Sequence, residues 1–438
     1  ETHDYYAMWI TAEGQNINID GLTINSDGRG IKIDEQYVDA PAVVNMMVKN
    51  STFKTAKKAA ILVKTVAGAN ITLEDVNIAD VAADKDFAVW VDEDAAAHAD
   101  KVVVNGGLCK VEGANVAAAD TDTELREALK DGKDVILTDD INTTDADSNG
   151  YGATGINING GVFDGNGHTI EVEGATSTWD SAIAITGGTI KNVTVAKGFR
   201  GIFFKNGTEK IVLENVIING PTYTISCDQG GNQGFEAYNS KFYGWTSYAG
   251  TIGTGYFEGC TFGHDNSYYN GLNTYTNVVI KDSKFVFKSG KSNFIDLEGT
   301  GKTMIINNCI ATLDGATADV ATFVGGSKKA QNTVIIDGKI TAENAEQLAA
   351  YLVNENVSTI LLKDGVDFGT IVMKSNKTVV GAPNAKVDAV NVNNTENVTL
   401  KDIVFDYIHH TLFHSFIDCG RVNLYSCCGD IILELSFS

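Results

Sequence analysis

One pattern recurs along this chain and limits what it can fold into. A few alternating apolar residues are followed by a single Asn, Asp or Gly, and then by a second alternating run. It reads as INIDGLTI, MMVKNSTF, ITLEDVNI, TIKNVTVA, IVLENVII, EAYNSKFY, YFEGCTFG, VVIKDSKF, MIINNCIA and VTLKDIVF. The punctuating residues are Gly21, Asn50, Asp75, Asn192, Asn215, Asn239, Gly259, Asp282, Asn308 and Asp402. From Asn192 to Asn308 they are spaced 23, 24, 20, 23 and 26 residues apart. Period-two alternation is the signature of strands. Asn, Asp and Gly tolerate the left-handed backbone that a one-residue corner requires. A repeat of this length with a strand on each side of the corner predicts an all-β solenoid of stacked coils.

In such a stack the residue after each corner turns inward. Along the middle block these residues are Val193, Val216, Ser240, Cys260, Ser283 and Cys309, a column of small or branched side chains. Cys260 and Cys309 would lie two coils apart, roughly 10 Å. That exceeds disulfide reach, so buried thiols are expected. The seven cysteines form no disulfide framework and no zinc-like spacing.

The corner ladder, together with VFDGNGHTIEV at 162–172, resembles the pectate-lyase-like superfamily over nearly the whole chain. The resemblance implies a right-handed parallel β-helix with coils of about 23 residues. The lyases of that superfamily use an Arg-x-Pro-x-x-Arg signature. Here none of Pro41, Pro221 and Pro383 has an arginine two residues before it. The related polygalacturonase-like hydrolases use Asn-x-Asp, Asp-Asp, Gly-His-Gly and Arg-x-Lys elements. In this chain Asp139-Asp140 stands before the coils, His168 lies in GNGHT, and Arg29 precedes GIK with the wrong spacing. A glycosidase also needs two carboxylates ~5–10 Å apart. Asp228, Glu236, Glu258 and Asp265 are the candidates, against the simpler reading that they are solvated acids.

A larger repeat lies above the coils. TDTELREALKDGKDVILTDDI (121–141) parallels NAEQLAAYLVNENVSTILLKDGV (344–366), each a short amphipathic helix followed by a strand. Thr121 with Glu124, and Asn344 with Gln347, have capping-box spacing. Such helices suit the open end of a solenoid, which must be covered. The segments 7–33, 182–204 and 388–405 also align, making Arg29-Gly30-Ile31 equivalent to Arg200-Gly201-Ile202. The chain therefore divides into a partial module at 1–117, a complete one at 118–340, and the start of a third at 341–438. Two origins follow for the uncapped first coil: a piece of a longer array, or head-to-tail self-association through open ends. The tail from 409 onward, with His409, His410, His414, Cys419, Cys427 and Cys428, departs from the repeat and fits no zinc arrangement.

A net charge of −23 argues against nucleic acid or an anionic membrane surface as partner. No run of ~18 apolar residues is present to insert in a membrane, and no basic n-region opens the chain. Eight of fifteen tyrosines fall within residues 223–275, together with Trp245 and His264. Loops on rigid scaffolds collect binding residues. Sugar rings stack on exposed aromatics, so Trp245, Tyr248, His264, Asp265, Tyr268 and Tyr269 form the candidate glycan site. The alternative is that these rings only stack coil on coil.

In DADSNG (145–150), Asp145, Asp147 and Asn149 match the first half of a calcium loop. Ile156 at the twelfth position excludes an EF-hand and leaves a looser calcium turn open. No other cofactor is indicated. The modules look like large repetitive bacterial surface proteins. The sequence thus points to a non-catalytic, extracellular surface protein for adhesion or display. A polysaccharide lyase or hydrolase and a phage tailspike-like receptor binder are the alternatives.

Overall fold

A computed structural model describes residues 6–26, 28–55, 59–79, 86–143, 156–172, 181–227, 233–248, 253–264, 267–392, 395–404 and 422–425. Strands dominate it, and most of them pair in parallel. The chain forms two compact units. The first comprises Glu1–Thr143, Asn157–Glu171 and Ile190–Thr194; the second comprises Thr144–Ile156, Val172–Thr189 and Val195–Ser438.

In the first unit three short sheets interleave along the sequence. One joins Tyr6–Thr11, Arg29–Asp34, Ile61–Lys64, Phe87–Val91 and Leu108–Val111. A second joins Asn16–Asp20, Val44–Lys49, Ala69–Glu74 and Val102–Asn105, and a third Thr23–Ser26, Thr52–Thr55 and Asn77–Ala79. Register places Ile19 beside Val48 and Val48 beside Leu73, so like side chains stack into buried columns. The outward positions repeat as faithfully. Asn45 donates from its amide to Asn16 at 3.0 Å, and Asn70 to Asn45 at 2.8 Å. Helix α1 (Asp122–Lys130) buries Leu125 and Ala128. Its Thr121 cap accepts the Glu124 N–H, and the Glu124 carboxylate accepts the Asp120 N–H.

The second unit repeats the plan. Ile211–Glu214, Phe235–Tyr238, Gly255–Glu258, Val278–Lys281 and Thr303–Asn307 pair in parallel and in register, each with the strand one repeat later. After the corner, Lys241 pairs with Thr261, and Thr261 with Lys284. Phe242, Phe262 and Phe285 are thereby superposed in the core, all fully buried. Rings 242 and 262 stack at 5.5 Å, and 262 and 285 at 4.9 Å. Helix α2 (Ala345–Val353) carries the same cap as α1. Asn344 accepts the Gln347 N–H at 2.9 Å, and the Gln347 side chain accepts the Glu343 N–H at 2.8 Å.

All ten corner residues have positive φ, between 46° at Asn50 and 68° at Gly21. Corner rests on corner through the backbone. In the second unit the N–H groups of Asn215, Asn239, Gly259 and Asp282 donate to the carbonyls of Tyr238, Glu258, Lys281 and Asn307, each one residue before the next corner. The inward residue after the corner completes the link. Ser240 Oγ accepts the Val216 N–H at 3.1 Å and donates to Tyr238 O at 2.9 Å. Ser283 does the same between Cys260 N and Lys281 O.

Cys260 and Cys309 occupy this column as thiols, beside backbone carbonyls. Burial pushes the Cys260 thiol up to about 12 and that of Cys309 to about 11. Replacing Ser240 with alanine leaves the buried Val216 N–H without its acceptor. It is expected to cost about 1–3 kcal/mol in urea denaturation.

Candidate functional site

The site lies on the second unit, beside two long strands that follow the corners at Asn215 and Asn239. Ile217–Ser226 and Lys241–Tyr248 lie in the same sheet and change pairing partner along their length. Lys241–Phe242 pairs with Thr261–Phe262, while Trp245–Tyr248 pairs with Gly271–Thr274. Between these pairings Gly263, His264, Ser267 and Tyr268 lie outside the strands, and pairing resumes with Tyr269 opposite Ser292. On the other side, Asn219 is opposite Tyr243 but Tyr223 is opposite Trp245, so two extra residues are forced out as a bulge. Gly220, at φ 124°, and Pro221, which has no N–H to leave unpaired, suit that bulge. Between bulge and loop, Gly244 lets the two backbones approach. A Cβ there would stand 3.0 Å from the carbonyl oxygens of both Pro221 and Thr222.

The result is an open cleft of about 270 Å³, walled by residues 219–222 on one side and by His264 and Ser267–Tyr269 on the other. Tyr243 also lines it, and its ring lies 4.6 Å from that of His264. The loop is held from below. Fully buried Asn270 accepts the His264 N–H at 3.1 Å, Ser267 N–H donates to His264 O at 3.2 Å, and Ser267 Oγ donates to Tyr269 O at 3.2 Å. One repeat later Asn293, paired with Asn270, accepts the Lys288 N–H at 3.3 Å and also donates to Lys288 O at 2.7 Å.

At the mouth, Tyr268 and Tyr269 meet edge to face at 4.9 Å and remain 59% and 38% exposed. Behind them runs a column of rings. Tyr223 stacks on Trp245 at 4.7 Å, and Trp245 tilts against Tyr269 at 5.1 Å. The buried Arg200 guanidinium lies 5.1 Å from the Tyr223 ring and donates to Ser226 Oγ at 2.6 Å.

Both readings of the aromatic cluster thus have residues to carry them. Trp245 is half-buried between its neighbours, whereas Tyr268 and Tyr269 present ring to solvent. Asp265 lies outside the described residues, as does the side chain of Tyr248. Asp145, Asp147 and Asn149 of the calcium-like turn also lie outside them, as do the tail histidines and Cys419, Cys427 and Cys428. The bulge at 219–222 was not among the sequence candidates. Its signal is Asn-Gly-Pro inside an otherwise strand-like run, IINGPTYTIS.

Of the four candidate carboxylates, Asp228 and Asp265 fall outside the described residues. Glu236 is paired with Lys210 at 2.8 Å and accepts from the Tyr238 hydroxyl. Glu258 accepts from the Tyr256 hydroxyl at 2.6 Å and pairs with Lys281 at 3.2 Å. Those contacts hold the Glu258 carboxyl below its usual range and, with burial, push the Tyr256 hydroxyl up to about 12. Neither glutamate lines the cleft. Among the described residues no cluster of three or more His, Cys, Asp or Glu could hold a metal, and no helix is long and apolar enough to cross a membrane.

A second acid was not foreseen. Asp296 pairs with Asn273 and Gly325, on the strand face shared with Phe294. Burial, aided by the charge of Glu298, raises its carboxyl from 3.8 to about 6. The fold therefore favours the neutral form. This contribution to stability is complete below 3.8 and is lost as pH rises through about 6. Asp296→Asn is expected to stabilise the protein at pH 7.5 by about 1 kcal/mol, allowing for solvent screening of a half-exposed group. Urea denaturation should show that gain shrinking toward zero near pH 4.

No protein-family model matches this chain, and no curated protein or solved structure matches it in the comparisons.

Proposed function

We propose that the chain is a non-catalytic, extracellular surface protein for adhesion or display, built as a right-handed parallel β-helix like those of the pectate-lyase-like superfamily. Its 223–275 face, extended by the bulge at 219–222, binds glycan. The solenoid reading is supported by in-register pairing of each strand with the one a repeat later, and by the left-handed corners that link through their backbones.

The observation that carries the binding reading is the placement of Tyr268 and Tyr269. Two exposed rings stand at the mouth of a cleft, on a loop fixed by buried Asn270. Ligand sites combine apolar surface with a few placed polar groups, and loops on rigid scaffolds supply them. A sugar ring offers the matching surface, an apolar face edged by hydroxyls. Non-catalytic binding is preferred because Glu236 and Glu258 are each engaged by a lysine and a tyrosine away from the cleft.

A glycan array tests the reading, followed by product analysis of every glycan retained. Binding that turns nothing over and disappears in Tyr268→Ala/Tyr269→Ala is the expected result. Release of shortened or unsaturated sugars would replace it with the lyase or hydrolase reading.

A further inference from the structure

We infer that the cleft is specific for a short, neutral glycan, on the order of a disaccharide, and discriminates against uronate- or sialate-bearing polymers; this rests on the glycan-binding reading above. Asn219, Thr222, Tyr243, Ser267, Tyr268 and Tyr269 bring hydroxyl, amide and ring groups to the cleft, and none carries a fixed charge. His264 is the remaining polar side chain of the lining. Among the described residues no lysine or arginine lines it, so a sugar carboxylate would meet no guanidinium or ammonium partner. The whole chain, at −23, adds a repulsive field that raises the cost of an acidic ligand.

Arg200 reinforces the point. Its guanidinium, the natural partner for a carboxylate, is buried behind the ring column and committed to Tyr223 and Ser226.

Length follows from the strand stack. The cleft involves three successive repeats: the bulge after Asn219, Tyr243 opposite Asn219, and His264 with Ser267–Tyr269. At ~4.8 Å per step, these span roughly 10 Å. That suits two linked sugar rings. The volume, about 270 Å³, also lies at the small end of ligand pockets and leaves no room for a long polymer to be enclosed. The exposed faces of Tyr268 and Tyr269 would stack one ring, while Asn219 and Thr222 across the cleft bond hydroxyls of the other.

The test is direct titration of the full chain with lactose, cellobiose and N,N′-diacetylchitobiose, and with digalacturonate and sialyllactose, followed by ligand-observed NMR. At least one neutral disaccharide is expected to bind. Its affinity should change less than about twofold between 50 and 500 mM NaCl, because no ion pair is made. Tyr268→Ala should weaken binding about tenfold, the scale of one lost stacking contact. Tyr37→Ala, 87% exposed and outside the 223–275 face, should leave it unchanged. Preferential, salt-sensitive binding of digalacturonate or sialyllactose would overturn the neutral-glycan inference and leave glycan binding standing. Absence of binding by both classes would overturn both.

Discussion

Phe262→Ala should lower the unfolding free energy of the second unit by about 3–5 kcal/mol. Its ring is fully buried and meets three others: Phe242 at 5.5 Å, Phe285 at 4.9 Å and Phe257 at 5.1 Å. The strand that carries it is only two residues long, Thr261–Phe262, so little else holds that segment in register. Alanine would leave a cavity that its neighbours cannot fill, because Phe242 and Phe285 are fixed by parallel pairing to the strands on either side. The change should appear as a lower urea midpoint with an unchanged slope. A loss below about 1 kcal/mol would mean that the ring column does not carry the core.

A second large effect is expected at Gly271, the residue between Trp245 and Phe294 in the sheet register. Its φ is 132°, and a Cβ there would lie 1.8 Å from the Phe294 carbonyl oxygen. No side-chain movement relieves a clash with backbone, so the strand itself must shift. The absence of a side chain is also what lets Trp245 reach Phe294 edge to face at 5.9 Å. Gly271→Ala is therefore expected to cost more than about 3 kcal/mol and to displace Tyr269, two residues before it. Gly301→Ala is the control. Its φ is 66° and a Cβ would meet nothing within 4 Å, so the cost should stay near 1 kcal/mol, that of the left-handed backbone alone. Equal losses at both positions would remove the argument from close approach.

These two residues show what the sequence could and could not disclose. The corners were legible because left-handed backbone restricts residue type so strongly that Asn, Asp and Gly recur at each one. Alternation puts Phe262 on the same face as Cys260, two residues before it and read as inward. The caps were legible for a similar reason, since Thr121 and Asn344 each accept a fixed N–H three residues on. The cleft was only half legible. A cluster of tyrosines drew attention to 223–275, but period-two alternation cannot say that Trp245 is sandwiched while Tyr268 and Tyr269 stay exposed. That difference arises from a two-residue register slip at Gly220–Thr222 and from the loop after Phe262, both consequences of long-range pairing. The raised carboxyl of Asp296 was hidden for the same reason, because its burial depends on neighbours one repeat away.

The most direct measurement is backbone hydrogen exchange on the full chain, with and without a neutral disaccharide shown to bind. Slowing confined to residues 219–222 and 263–270 is the predicted footprint. Unchanged exchange at those segments, or slowing centred elsewhere on the protein, would contradict the assignment of this cleft as the binding site.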